Sequence, residues 1–426
     1  MPQAPEDYQS RYPVDFGDID PAIRQTVVQL YAEDGGKLRG LLYMPQKGKP
    51  RTVVIMGHPR VDFAQHYSIP FWVEAGFAAF ALNTRYLNND ATMLHENLLL
   101  DIAAGMRYLR AECGFERIVM LGNSGGGSLF SYYDAEARTA KGGRVAAPPG
   151  GGPPDLNKFD LPAADGFIVL AAHPGQGIVL MGTLDAAVVD EADPFATDAT
   201  LDMYDERNGF RMPPASSKYD TEWLLQYRAA QRARVARIDA IARRHIEEAA
   251  IARAEVREPD FGKKPAAYRN YTSRRMMAPR MMIVYRTQAN PHYTDLSLDP
   301  SERLVGSILG GRPDLANYHV FGLGRVVTPE AWLSTWSGLS SYARLDRNLP
   351  KVTVPTLVVG AMGDQDIFLS DVRTEYEQSG AADKRLEFIE GADHFMRAGG
   401  TRRNMGDPRP RLMKILTEWT RERFAP

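Results

Sequence analysis

Residues 117–137, RIVMLGNSGGGSLFSYYDAEA, are the stretch from which the fold can be worked out. The apolar run 118–121 predicts a short buried strand, and residues 128–137 predict a helix. Gly122, Asn123, Ser124, Gly125 and Gly126 lie between the two. The sequence therefore predicts a strand, a sharp turn with a serine at its apex, and a helix.

The pattern Gly-x-Ser-x-Gly in this context is that of a nucleophile elbow. The turn strains the backbone of Ser124, and glycines at 122 and 126 remove Cβ atoms that would clash with the neighbouring strand and helix. The N–H of Gly125 would lie at a helix N-terminus, where free donors favour an oxyanion. The alternative is a glycine-rich turn whose serine only caps the helix.

Composition and charge exclude several classes of protein. Apolar residues make up 44% of the 426-residue chain and charged residues 24%, as in ordinary soluble globular proteins. The net charge of −2 predicts neither a nucleic-acid nor a membrane surface. A single cysteine, Cys113, excludes an internal disulfide and a cysteine metal cluster.

The rest of the chain predicts an α/β fold. A hairpin near residues 27–43 is followed by buried strands at 52–56, 77–82, 118–121 and 166–172, with helices between them. The pattern resumes with a strand near 354–360, a helix near 370–379, a strand near 385–389 and a closing helix. Such alternation favours a mostly parallel sheet flanked by helices.

The pattern is interrupted between the two halves. A Pro/Gly-rich loop occupies residues 140–158, and residues 175–349 contain few strand-like runs. A long helix is predicted over 222–256, with its arginines on solvated faces and a nucleic-acid face as the weaker interpretation. We expect a first core part (1–174), a mainly helical cap inserted after the sixth strand (175–349) and a second core part (350–426).

Two further segments turn the elbow into a candidate catalytic triad. Asp364 follows the strand near 354–360, and His394 follows the strand near 385–389. A serine hydroxyl needs a neutral imidazole to take its proton, and the imidazole needs an acceptor on its other nitrogen. Ser124, Asp364 and His394 stand in the chain order of one known triad arrangement. Asp366 remains an alternative to Asp364 as the acid.

The elbow, the segment VPTLVVGAMGD and the segment EGADHF together resemble the α/β-hydrolase superfamily. The resemblance covers roughly residues 25–175 and 350–425, and it implies Asp364 as the acid from its distance to the proline of the Val-Pro-Thr-Leu strand. It also implies a second oxyanion donor from the loop His58-Pro59-Arg60. Because proline has no N–H, that donor should be the backbone N–H of Arg60.

Several other residues are pocket candidates. His58 is expected to brace its loop, and the Arg60 side chain either holds an acidic substrate group or forms a surface ion pair. Asn123 adjoins the nucleophile, and His173 and Arg85 follow strands on the same sheet edge. His173 either lines the pocket or is a hydrogen-bonded structural histidine.

These residues predict a serine hydrolase that cleaves an ester-type bond of a small acyl substrate and needs no cofactor or metal. Thioesters, lactones and carbon–carbon bonds next to a ketone are alternatives for the same triad. A small-molecule receptor on the same fold is a weaker one. The N-terminal residues lack the apolar core of a signal peptide, and no apolar run reaches the ~18 residues of a membrane span. We therefore expect a cytoplasmic protein with no nucleic-acid or membrane partner, compatible with a homodimer.

Overall fold

An eight-stranded sheet organises the computed structural model, which describes residues 19–319 and 322–426. The strands lie in the order β1-β2-β4-β3-β5-β6-β9-β10, and β7 and β8 form a separate two-stranded ribbon. Their bounds are β1 Arg24–Tyr31, β2 Lys37–Met44, β3 Thr52–His58, β4 Ala78–Asn83, β5 Arg117–Asn123, β6 Gly166–Leu170, β7 Met282–Ile283, β8 Val326–Val327, β9 Thr356–Ala361 and β10 Lys384–Ile389.

The sheet is mostly parallel, as predicted. β2 pairs antiparallel with β1 and with β4, whereas every pairing from β4 through β3, β5, β6 and β9 to β10 is parallel. β3, β4, β6 and β9 are buried along their whole length, which explains their continuous apolar sequences. Since parallel strands end at the same edge, residues after β3, β5, β6, β9 and β10 can meet there.

Helices cover both faces of the sheet. Their bounds are α1 Ile69–Glu74, α2 His95–Arg107, α3 Gly125–Arg138, α4 Gln176–Thr183, α5 Thr221–Val256, α6 Ala266–Met277, α7 Pro313–Ala316, α8 Pro329–Ala331, α9 Leu345–Asn348, α10 Leu369–Gln378 and α11 Arg409–Arg423. One apolar core includes Leu98 of α2 and Phe130 of α3, and the other includes Trp72 of α1 and Trp419 of α11.

The α-helices and strands of the segment between β6 and β9 are α4 to α9 and the β7–β8 ribbon. The predicted long helix is α5, which begins after Asp220; the Asp220 carboxylate accepts hydrogen bonds from the N–H groups of Glu222 and Trp223. The prediction that the arginines of this helix are solvated is wrong for Arg234, which is 1% exposed and paired with Glu191.

None of the helices in the described part of the chain combines the length and apolar character that a bilayer crossing requires. The residues on which the expectation about a signal peptide was based lie outside the described residues.

Candidate active site

The turn between β5 and α3 holds Ser124 in a strained backbone conformation. Its φ of 55° and ψ of −124° lie outside the regions that side-chain-bearing residues normally adopt. A Cβ on Gly122 would lie 2.6 Å from the Gly127 Cα, and a Cβ on Gly126 would lie 2.3 Å from the Gly57 carbonyl oxygen. The two glycines are therefore required by close backbone contacts. The helix begins directly at Gly125, earlier than the sequence predicted.

Three side chains from distant parts of the chain form a hydrogen-bonded line at this turn. The Ser124 hydroxyl lies 3.0 Å from Nε2 of His394, and Nδ1 of His394 lies 2.8 Å from Oδ2 of Asp364. The His394 and Asp364 side chains are 5% and 1% exposed. With Nδ1–H donating to the carboxylate, Nε2 is left as the acceptor for the serine proton.

The two candidate acids occupy different positions. Oδ1 of Asp364 also accepts from the N–H groups of Asp366 and Ile367, at 2.9 and 3.1 Å, which fixes the carboxylate in place. Asp366 instead accepts from the hydroxyl of Tyr293 and from the N–H of Ile308. The hydrogen bond to His394 is therefore made by Asp364.

Burial and charge act in opposite directions on His394. Burial alone would lower the pKa of its imidazole, but the charge of Asp364 and its hydrogen bond outweigh this effect and raise the pKa to about 9. Asp366 and Asp393 add to the increase. The carboxylates therefore favour the imidazolium that forms when His394 takes a proton from Ser124.

The loop after β3 differs from the prediction. The N–H of Arg60 donates to Nδ1 of His58 at 3.2 Å, and the N–H of Val61 donates to the same nitrogen at 3.1 Å. We predicted the Arg60 N–H as the second oxyanion donor, but the His58 side chain engages it in this structure. His58 braces the loop as expected, and the Arg60 side chain is paired with Asp90 at 3.5 Å.

The same hydrogen bonds assign the tautomers of two histidines. Because Nδ1 of His58 accepts two backbone N–H groups, its proton must lie on Nε2. Nδ1 of His173 likewise accepts from the N–H of Gly175 at 3.2 Å. Both Nε2 atoms approach Gly125, at 2.8 Å for His58 and 3.1 Å for His173 from the position where a Cβ would be.

Burial keeps both of these histidines neutral. Desolvation, with the nearby His173 and His394 adding to it, lowers the pKa of His58 well below its usual value. Desolvation followed by the charge of His394 lowers the pKa of His173 to about 3. Two uncharged imidazole N–H donors thus lie beside the residue that follows the nucleophile.

Asn123 and Arg85 have structural contacts of different kinds. The Asn123 amide donates to the Leu170 carbonyl at 2.9 Å, and its oxygen lies 3.2 Å from Nε2 of His66. Asn123 lines the cavity at Ser124, as predicted. Arg85 does not, because its guanidinium is bound to Asp34 and Asp101. The prediction that Arg85 contacts the pocket is therefore wrong.

Two adjoining cavities open at the site. The first, the Ser124 cavity, has a volume of about 90 Å³ and mostly apolar walls. Its lining residues are His58, Arg60, Val61, Phe63, Asn123, Ser124, His173, Gln176, Val179, Ile308, Leu309, Leu323, Asp366, Ile367, His394 and Phe395. The second, the Arg325 cavity, has a volume of about 310 Å³ and shares Arg60, Ile308, Leu309, Leu323 and Asp366 with the first.

Sequence reasoning missed the walls that come from the segment between β6 and β9. Ile308, Leu309 and Leu323 lie in stretches without a recognisable motif, so no local signal could have identified them. Gln176 could have been identified from the sequence, because it lies three residues after His173, at the start of α4.

Within residues 19–319 and 322–426, no three histidine, cysteine or acidic side chains lie close enough together to hold a metal ion.

Comparisons with known proteins find similarity to this chain in structure and none in sequence. No family model and no curated protein matches its sequence. Est1E from Butyrivibrio proteoclasticus is similar over 93% of this chain and 98% of its own, with 13% identity and a TM-score of 0.45. A hypothetical protein of Pseudomonas aeruginosa covers 98% of both chains with 14% identity and a TM-score of 0.47. DcsB, solved with its substrate analogue, covers 95% of this chain and 100% of its own with 12% identity and a TM-score of 0.48.

Identities and TM-scores this low carry no argument about what this chain acts on. The fold instead follows from the chain's own parallel sheet, its strained Ser124 turn between β5 and α3, and the positions of Asp364 and His394 after β9 and β10. On these grounds the chain has an α/β-hydrolase fold.

Proposed function

We propose that this protein is a serine hydrolase that cleaves a carboxylic ester-type bond of a small organic substrate through an acyl-enzyme. The observation that carries the proposal is the hydrogen-bonded line from Ser124 through His394 to Asp364 at the wall of a cavity. The strained backbone of Ser124 adds support, because such strain is characteristic of nucleophile elbows.

Ser124, His394 and Asp364 take part in both steps of the reaction, the formation of the acyl-enzyme and its hydrolysis. His394 Nε2 takes the Ser124 proton as the serine oxygen attacks the substrate carbonyl carbon, and Asp364 stabilises the resulting imidazolium. The proton then passes to the leaving oxygen as the carbon–oxygen bond breaks. Water, activated by the same imidazole, attacks the acyl-enzyme and releases the acid and free Ser124.

The negative charge on the tetrahedral intermediate needs donors beside Ser124. The proposed oxyanion donors are the N–H of Gly125, which is the first residue of α3, and the Nε2–H groups of His58 and His173. The imidazoles replace the Arg60 N–H of the original prediction, which donates to His58. A neutral donor held in place before the reaction stabilises the oxyanion without reorganisation.

We also propose that residues 175–349 act as a cap. Ile308, Leu309 and Leu323 from this segment line the same cavity as the nucleophile, and so does Val179 of α4. An apolar enclosure excludes water and strengthens the electrostatic interactions inside it. Thioesters, lactones and carbon–carbon bonds next to a ketone would use the same machinery, so a substrate panel is required to choose among them.

Labelling with a fluorophosphonate, read by intact mass, tests the proposal. Wild type should gain one adduct, Ser124→Ala should gain none, and Ser131→Ala should label like wild type. Ser131 is a matched control because it lies on the same helix, with its hydroxyl bonded to the Ser128 carbonyl. Absence of labelling and of ester turnover in a folded wild type would favour the small-molecule receptor instead.

A further inference from the structure

The Arg325 cavity contains a cation without a matching anion. Nη2 of Arg325 donates to the Ala316 carbonyl at 3.0 Å, whereas its Nε is buried without a hydrogen-bond partner. Within residues 19–319 and 322–426, no carboxylate lies within 4 Å of this guanidinium. Burial, with the nearby charge of Arg234 adding to it, lowers the pKa of Arg325 to about 10, so the group remains charged at neutral pH.

The other charges in this cavity already have partners. Asp90 is paired with Arg60, and Asp366 accepts from the Tyr293 hydroxyl and from a backbone N–H. Among the described residues that line this cavity, Arg325 is therefore the cation that no carboxylate pairs with.

A partly buried guanidinium without a counter-charge destabilises the free protein, and a bound carboxylate would offset that cost. The planar guanidinium also matches a carboxylate geometrically. A phosphate dianion fits less well, because the carboxyl groups of Asp90 and Asp366 face the same space. The volume of about 310 Å³ is sufficient for a small ligand group.

The Arg325 cavity adjoins the Ser124 cavity through the apolar side chains of Ile308, Leu309 and Leu323. A ligand that spans both would place a neutral, apolar section between them. We propose that the substrate is a monoanionic ester, with the scissile carbonyl at Ser124, an apolar spacer past Ile308 and Leu309, and a terminal carboxylate bound by Arg325. This inference rests on the proposed function, since it names the substrate class of the same site.

The experiment compares p-nitrophenyl half-esters of adipic, pimelic and suberic acids with the same compounds capped as methyl esters. Wild type should prefer the free acid by ~10-fold or more in kcat/KM at one chain length, in line with a hydrogen bond to a charged group. Arg325→Met should remove that preference and leave the capped ester within about threefold of wild type, and Arg325→Lys should retain part of it.

A surface arginine provides the matched control. Arg207, which is exposed and paired with Asp205, lies outside both cavities, so Arg207→Met should keep the full preference. Thermal unfolding of each variant separates loss of recognition from loss of folding. Equal rates on acid and capped ester in wild type, or an equal loss on both in Arg325→Met, would overturn the proposal.

A binding measurement without turnover separates this proposal from the proposed function. Calorimetric titration of the Ser124→Ala variant with adipate, pimelate and suberate should show binding of at least one, weakened about tenfold or more by adding Arg325→Met. Dicarboxylate binding without ester hydrolysis would retain the carboxylate subsite and refute the hydrolase. Hydrolysis of capped esters without dicarboxylate binding would retain the hydrolase and refute the carboxylate subsite.

Discussion

Replacing His173 by asparagine and by glutamine tests the roles of its two ring nitrogens one at a time. The asparagine amide oxygen can take the place of Nδ1 and accept the Gly175 N–H, so the loop after β6 keeps its hydrogen bond. It has no group at the position of Nε2. Glutamine reaches the Nε2 position with an amide N–H and therefore keeps a donor near Gly125.

The expected magnitude follows from the number and charge of the donors. His173 is one of two neutral imidazoles near Gly125, and removal of one preorganised oxyanion donor typically costs ~10²–10³ in kcat, about 2.7–4 kcal/mol. We expect a loss of ~100-fold in kcat for His173→Asn, since His58 and the Gly125 N–H remain. His173→Gln should lose much less.

The assay is steady-state hydrolysis of a p-nitrophenyl ester between pH 5 and pH 9. Because the pKa of His173 is about 3, its imidazole stays neutral throughout that range, and the loss in His173→Asn should be the same at every pH. KM should change little, because the oxyanion exists only after attack has begun.

Three results would refute the oxyanion role. They are equal losses in the asparagine and glutamine variants, a change confined to KM, and a loss that parallels a fall in melting temperature. His58→Asn is the companion variant, since asparagine can still accept the N–H groups of Arg60 and Val61.

Other predictions concern the acid, the base and a buried carboxyl. Asp364→Asn should lower kcat by ~10³–10⁴, whereas Asp366→Asn should cost at most about tenfold, and comparable losses would reopen the choice of acid. The base must be neutral, so kcat/KM should rise with pH through the pKa of His394, about 9. In Asp364→Asn this rise should occur at lower pH, because the carboxylate that raises the pKa is gone. A rise at the same pH in both proteins would argue against His394 as the titrating group. Glu375 is buried with both carboxyl oxygens unpartnered, and desolvation together with Asp371 raises its pKa. The folded state therefore keeps a proton that the unfolded state loses above pH ~4.5, and stability falls as pH rises. Glu375→Met should stabilise by ~1–3 kcal/mol in urea unfolding, more at pH 8 than at pH 5, and a pH-independent gain would contradict the linkage.

The parts of the site that follow from local chemistry could be predicted from the sequence. Gly122 and Gly126 are needed because the backbone of the turn is crowded, and that requirement is visible within five residues of sequence. The positions of Asp364 and His394 after consecutive strands also followed from the order of apolar runs and loops. Cap boundaries, domain limits and oligomeric state stay predictions.

The errors at Arg85 and Arg234 have a common physical cause, which is contact between residues far apart in the chain. Arg85 was misassigned because its partners, Asp34 and Asp101, lie 51 and 16 residues away. Arg234 was predicted to be solvated because its partner, Glu191, lies 43 residues earlier in the chain. The Arg60 N–H was misassigned because nothing in the sequence indicates that the His58 side chain turns back onto it.

Asp366 connects the candidate triad with the segment between β6 and β9. Its N–H donates to the Asp364 carboxylate, and its own carboxyl group accepts hydrogen bonds from Tyr293 and Ile308 of the segment between β6 and β9. A displacement of that segment would therefore be transmitted through one residue to the group that orients His394. Because Ile308 also lines the cavity at Ser124, the shape of the cavity wall and the orientation of the triad depend on the same carboxyl group.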